Sequence, residues 1–174
     1  EKQNNIFSSI KEKFNYTNVS QSPKIEKVIV SVGVGSTKDK KKIETIINKL
    51  TKITGQKPSA CSAKKSIATF KLREGDIVGY QVTLRGARMY DFLDKLIHIA
   101  LPRTRDFRGI KLTSIDEMGN ISIGIKENTI FPETSDEELR DVFGFTVTIT
   151  TSAKNREETE ELLRGIGFPL KKKE

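Results

Sequence analysis

Four short segments of this chain alternate apolar with small polar residues, and that period of two constrains its fold more than any other feature. Val28, Val30, Val32 and Val34 recur from Lys24 to Val34, and Tyr80, Val82 and Leu84 alternate with Gln81, Thr83 and Arg85 in the stretch Ile77 to Arg85. Ile121, Ile123 and Ile125 alternate with Ser122 and Gly124, and Phe145, Val147 and Ile149 alternate with Thr146, Thr148 and Thr150. Successive side chains of a strand point to opposite faces, so each segment reads as a strand with one apolar and one wet face. The first, rich in β-branched residues, reads as a central strand.

Helical spacing fills the gaps. Ile43, Ile46, Ile47, Leu50 and Ile53 form a stripe ended by Gly55, with Ser36 or Thr37 as the expected cap. Met89, Phe92, Leu93, Leu96 and Ile97 form another from Ala87 to Ala100, stopped by Pro102. Asn155 and Glu158 read as a capping box for a last helix carrying Leu162 and Leu163 and closed by Gly165 and Gly167, and Ile6, Phe7, Ile10 and Phe14 as a short N-terminal helix. Strands and helices mix without a regular βα repeat. The expected class is therefore α+β, a mostly antiparallel sheet with helices packed on one face and the other face exposed. We expect one domain over residues 1–174, with an N-terminal helix within 1–20, a core over 24–170, a flexible basic loop at about 62–79 and a short "KKKE" tail.

Charge narrows the partner. Lys and Arg number 31 against 23 Asp and Glu, a net charge of +8, which favours a polyanion, nucleic acid first and an anionic membrane surface second. The membrane reading is the weaker, because the apolar stripes are needed for the core. No apolar run approaches the roughly 18 residues of a membrane span, and no charged-then-apolar leader opens the chain, so the sequence reads as soluble and cytoplasmic. Cys61 is the only cysteine, which excludes an intrachain disulfide and a cysteine-based zinc cluster and reads as a small residue packed in or beside a strand.

Catalytic sets are missing. His98 is the only histidine and stands on a helix between Ile97 and Ile99, while Asp91 and Asp94 read as a solvated helix face. "GVGSTK", Gly33 to Lys38, has neither the lysine offset of a phosphate loop nor the third glycine of a dinucleotide fingerprint. An enzyme acting on RNA or nucleotides has only this stretch in its favour, so neither metal nor cofactor is expected.

The wet faces carry threonine, glutamine, serine and glycine, with arginines at their edges, and no aromatic residue at an outward position. Hydroxyl and amide groups can bond riboses and phosphates, whereas single-strand base readout needs exposed rings. Backbone and shape recognition of a structured RNA is the better expectation. Lys38 and Lys40 to Lys42 oppose the dipole of the helix they open, which a nearby phosphate would relieve.

Several long blocks carry a resemblance: "IEKVIVSVGVG" (Ile25 to Gly35), "GQKP" (Gly55 to Pro58), "KKSIATFKLREGDIVGYQVTLRGARMYDFLDKLIHIALPRTRDFRG" (Lys64 to Gly109), "GNISIGIKENTIFPE" (Gly119 to Glu133) and "TVTITTSAK" (Thr146 to Lys154). In order through nearly the whole chain, they resemble the 5S-rRNA-binding proteins of the bacterial-type large ribosomal subunit, the L-five family. The resemblance implies a sheet face that holds 5S rRNA and seats it in the central protuberance, through Ser31, Gly33, Gln56, Lys64, Lys65, Arg73, Gln81, Thr83 and Arg85. It implies a loop reaching toward P-site tRNA with Phe70, Lys71, Arg73, Glu74, Gly75 and Gly79. Arg103, Arg105 and Arg108 would serve the bridge to a small-subunit head protein or contact rRNA. The implied partners are 5S rRNA, 23S-type rRNA, P-site tRNA, neighbouring large-subunit proteins and that head protein, in a cytoplasmic ribosome. One departure stands out: where the family usually has asparagine in "NMGVG", this chain has Ser31 in "SVGVG", which lacks the amide's second hydrogen-bonding group.

Overall fold

Burying four alternating segments against three amphipathic helices produces one five-stranded antiparallel sheet in the computed structural model of the chain. The structure describes residues 13–14, 16–35, 37, 39–105, 107–134 and 142–171. Ile6, Phe7 and Ile10 of the N-terminal helix, Ser36, Lys38 and the last three residues of the tail lie outside them.

The elements run β1 (Ile25–Gly33), α1 (Lys40–Thr54), β2 (Ser59–Ser62), β3 (Ile77–Leu84), α2 (Ala87–Lys95), β4 (Ile121–Ile125), β5 (Phe145–Thr151) and α3 (Arg156–Ile166). The sheet order is β2-β3-β1-β5-β4, so the valine-rich β1 is central. Glycine-free inward rows line up across it. Val28 and Val30 of β1 face Leu84 and Val82 of β3 and Ile149 and Val147 of β5, and β5 in turn sets Ile149, Val147 and Phe145 against Ile121, Ile123 and Ile125 of β4. All of these are buried, and they pack against Leu50 and Ile53 of α1, Met89, Phe92 and Leu93 of α2, and Leu162 and Leu163 of α3. Each such side chain removed from water contributes about 1.5–3 kcal/mol. Phe131 stacks on Phe92, with ring centroids 6.0 Å apart, and lies tilted against Phe145 at 5.8 Å.

Helix ends depart from the sequence expectation in three places. Asp39, rather than the expected Thr37, caps α1: its carboxylate accepts from the Lys41 N–H at 3.0 Å, while Thr37 N–H closes a turn on the Val34 carbonyl. Asn155 precedes α3 without a side-chain cap bond, and Glu158 reaches one residue further back, accepting from the Lys154 N–H at 2.9 Å. The helix that begins at Ala87 leaves the α form after Lys95 and continues as a π turn over Leu96–Ala100, in which Leu101 N–H donates to Leu96 O. Wider turns of this kind are rare and shift the side-chain phase; here Ile99 becomes 43% exposed while Leu96, Ile97 and Ala100 stay buried. Lys95 ties this helix to α1, its ammonium donating to Ile53 O at 2.9 Å and pairing with Glu133 at 2.6 Å.

Candidate nucleic-acid interface

The face of the sheet away from the helices is built by the same registers that build the core. One cross-strand row runs Gly124, Thr146, Ser31, Gln81 and Ser59 from β4 to β2. The next runs Ser122, Thr148, Ile29 and Thr83, and a third, toward the β2–β3 connection, runs Gly33, Gly79 and Cys61. At strand spacings of about 4.8 Å the five strands make a plate about 19 Å wide. It offers hydroxyls, one amide and bare backbone, and its side chains are half-buried or exposed apart from Gly79. The Ser122 and Thr148 hydroxyls lie 3.2 Å apart, so one donates to the other. Two such hydroxyls retain donor and acceptor capacity for a ligand.

Gln56 joins this face through the end of α1. Gly55 adopts the left-handed conformation that ends the helix, with φ 68°, and the chain turns so that the Gln56 amide donates to the Thr83 carbonyl at 3.4 Å. β2 ends its pairing with β3 at Ser59↔Gln81, so Gln56 meets the carbonyl of the next outward residue that β2 leaves uncovered. The structure thus brings Ser31, Gly33, Gln56, Gln81 and Thr83 together, with Arg85 exposed just past the end of β3.

The two glycines facing each other across β1 and β3 stand there for different reasons. A Cβ on Gly79 would lie 2.7 Å from the Val32 carbonyl oxygen, a distance real side chains do not tolerate, so the fold itself requires that glycine. A Cβ on Gly33 would meet nothing within 4 Å, and Gly33 has no positive φ. The same holds for Gly124, in the middle of β4. A glycine inside a strand costs roughly 0.5–1 kcal/mol relative to alanine, so the fold would gain from a side chain at both positions. Gly79 also stands inside β3 rather than on the loop where the sequence placed it.

The segment between β2 and β3 is ordered by its own bonds. Ala63 N–H donates to Asp76 O, Gly75 N–H to Ala63 O and Arg73 N–H to the Asp76 carboxylate at 2.8 Å, and Ile67 and Leu72 form a bridge around a short turn, Ala68–Phe70. Phe70 is 75% exposed at its tip, with Lys64, Lys65, Lys71, Arg73, Glu74 and Gly75 also exposed. This loop extends from the glycine end of the plate. Arg103, Arg105 and Arg108 are exposed on a separate segment, and no hydrogen bond or ion pair among the described residues links them to the plate. That segment is held by the C-terminal stretch instead, with Ile110 N–H donating to Pro169 O and Lys171 N–H to Ile110 O.

His98 is exposed, with Asp94 4.0 Å away, and no group of His, Cys, Asp and Glu among the described residues is placed to hold a metal. No helix among them is long and apolar enough to cross a membrane.

Sequence reasoning missed β4 and β5 as contributors of named residues. Ser122, Gly124, Thr146 and Thr148 stand in the same outward rows as Ser31 and Thr83, and the alternation at 121–125 and 145–150 carried that signal. Lys27, opposite Thr150, was likewise passed over.

The comparisons with known proteins agree along the whole described core. A family model described as ribosomal protein L5 matches residues 18–73, and a second, described as the C-terminus of that ribosomal family, matches residues 77–170. The protein named large ribosomal subunit protein uL5 of Mycoplasma mycoides subsp. mycoides is 49% identical over 168 residues, 96% of this chain and 93% of its own length. Its namesake from Syntrophomonas wolfei is 50% identical over 95% of this chain and 94% of that protein, and the one from Ligilactobacillus salivarius 46% identical over 97% and 94%. Matches of that identity and coverage, on a sheet whose outward rows align as the repeated alternation requires, establish that the chain belongs to the ribosomal protein L5 family.

Proposed function

We propose that this chain is a structural protein of the large ribosomal subunit whose outward sheet face holds 5S rRNA and helps seat it in the central protuberance during translation. The observation that carries this reading is the plate itself: five strands wide, hydroxyl-lined, with Gly33 and Gly124 left bare although the fold has room for a side chain at each. Bare backbone lets a sugar-phosphate strand approach to hydrogen-bonding distance, and Thr83, Gln81, Ser31 and Gln56 supply donors and acceptors suited to riboses and phosphates. With no ring on the plate, the RNA element it fits is a structured one read by shape. Ser31 gives one hydroxyl where the family's asparagine gives an amide, and Gln81 and Thr146 flank it in register on either side.

The loop from Ala63 to Asp76 reaches P-site tRNA, with Phe70 offering a ring and Lys71 and Arg73 charge. The arginine segment 103–108 serves 23S-type rRNA or the bridge to the small-subunit head. Relatives named as large ribosomal subunit proteins, the family match and the net charge of +8 support each of these assignments.

The test is a titration of the purified chain against 5S rRNA and against an unrelated structured RNA of similar length, at two salt concentrations. The reading expects tighter binding of 5S rRNA that persists at the higher salt, because shape and hydroxyl contacts survive when counterion release is weakened. Equal affinities for the two RNAs, both lost at higher salt, would overturn it.

A further inference from the structure

The plate carries almost no charge, yet one of its ends does. Beyond the row of Ile29 and Thr83 the ladder of β1 and β5 pairs Lys27 with Thr150, which sets the Lys27 side chain on the outward face. β3 runs antiparallel to β1 and ends at Leu84, opposite Val28, so Arg85 lies at that same end. Past it, Ser152 N–H donates to Lys24 O and Lys24 N–H to the Ser152 hydroxyl at 3.0 Å, continuing the pairing outside the strands. There a cavity of about 470 Å³ is lined by Ser20, Ser22, Lys24, Ser152 and Lys154, with Gln21, Tyr16 and Glu158 completing its walls.

Three acids border this region, among them Asp94, which shares with Lys24 the lining of an adjoining cavity. Glu158 is 8% exposed, and its carboxylate is engaged by the Lys154 N–H at 2.9 Å and by the Tyr16 hydroxyl; Glu26 stands exposed in the bulge between Ile25 and Lys27. Among the described residues Lys24, Lys27, Arg85 and Lys154 form no ion pair. Four cations against three carboxylates, one of them turned inward, leave a net positive end on an otherwise neutral plate.

Resting on the 5S rRNA reading, we propose that this end is a phosphate seat, where Lys27 and Arg85 meet one backbone phosphate of the RNA on the plate and Lys24 and Lys154 meet a neighbouring one at the serine-lined cavity. The bound strand then enters at the cationic end and crosses the plate toward Gly33 and the loop. Ammonium groups on long stems contact phosphates without reading sequence, so this end fixes register and orientation.

Each neutralised phosphate contributes about 0.7–0.9 to the slope of log affinity against log salt. The experiment measures that slope for 5S rRNA and for the unrelated RNA with the wild type, Lys27→Ala, Lys27→Arg and the double variant Lys24→Ala/Lys154→Ala, each checked for an unchanged melting temperature. The double variant, which frees one phosphate, should flatten the 5S slope by about 0.7–0.9, and Lys27→Ala, which leaves Arg85 on the other, by a smaller amount, with Lys27→Arg near wild type. Unchanged slopes in both alanine variants overturn the seat, and so does equal flattening with both RNAs, which would reduce these lysines to general attraction. Failure of the parent reading looks different, since the wild type itself would then show no preference for 5S rRNA.

Discussion

Gly33→Ala separates what the fold needs from what the ligand needs. The new methyl meets nothing within 4 Å and the backbone there has no positive φ, so the native state accepts alanine without rearrangement. Replacing glycine at such a position narrows the unfolded ensemble and stabilises by about 0.4–1 kcal/mol. For a chain of 174 residues that raises the melting temperature by about 1–4 °C, at roughly 2–4 °C per kcal/mol. The methyl nevertheless stands on the outward face where an RNA strand would approach. Holding that strand off breaks at least one charge-assisted contact of about 1.5–3 kcal/mol, a loss of about 10- to 100-fold in Kd. Thermal melts followed by circular dichroism, together with filter binding to 5S rRNA, read the two effects on one preparation, and they should move in opposite directions. A higher melting temperature with unaltered Kd would refute the argument that Gly33 is bare for a ligand. Gly79→Ala is the internal control: its methyl would press on the Val32 carbonyl at 2.7 Å, and overpacking of this kind costs about 1–3 kcal/mol, so stability falls first.

Thr83→Val keeps the shape and β preference while removing the hydroxyl, and should weaken 5S rRNA binding by about 3- to 10-fold, from a lost hydrogen bond of about 0.5–1.5 kcal/mol, with melting almost unchanged; equal affinity would strike Thr83 from the contact set. Lys95→Met removes the donor at the carbonyl end of α1 and the partner of Glu133, and urea unfolding should show a loss of about 1–2 kcal/mol with RNA affinity retained. Burial, then the hydrogen bond to Glu158 and its charge, push the Tyr16 hydroxyl from 10.0 up to about 12. A folded value above the unfolded one means that this contribution is whole below pH 10 and is lost as pH rises toward 12. Ultraviolet titration should therefore show one of the three tyrosines ionising late, and Tyr16→Phe should abolish that step.

Alternation in the sequence marks four of the five strands, the class and the sidedness of the sheet, whereas β2, Ser59–Ser62, carries no such period. Alternation is a local property, since a period of two in Val28 to Val32, Tyr80 to Leu84 and Phe145 to Ile149 has one way to bury its apolar half. Helix termini were less legible: Asp39 caps α1 where Ser36 or Thr37 was expected, because whichever side chain meets a free N–H depends on how the preceding turn closes on Val34. Which outward residues share a row follows from strand pairing and not from the local pattern. Register across β3, β1, β5 and β4 sets Ser31 between Gln81 and Thr146 and places Lys27 at the end where Arg85 emerges, although these residues stand tens of positions apart in the chain. It also told Gly33 from Gly79, two glycines alike in sequence, one with open space above it and the other pressed against a neighbouring carbonyl. That distinction depends on what another strand puts within a few ångströms, and chain pairing at long range is what a local pattern does not contain.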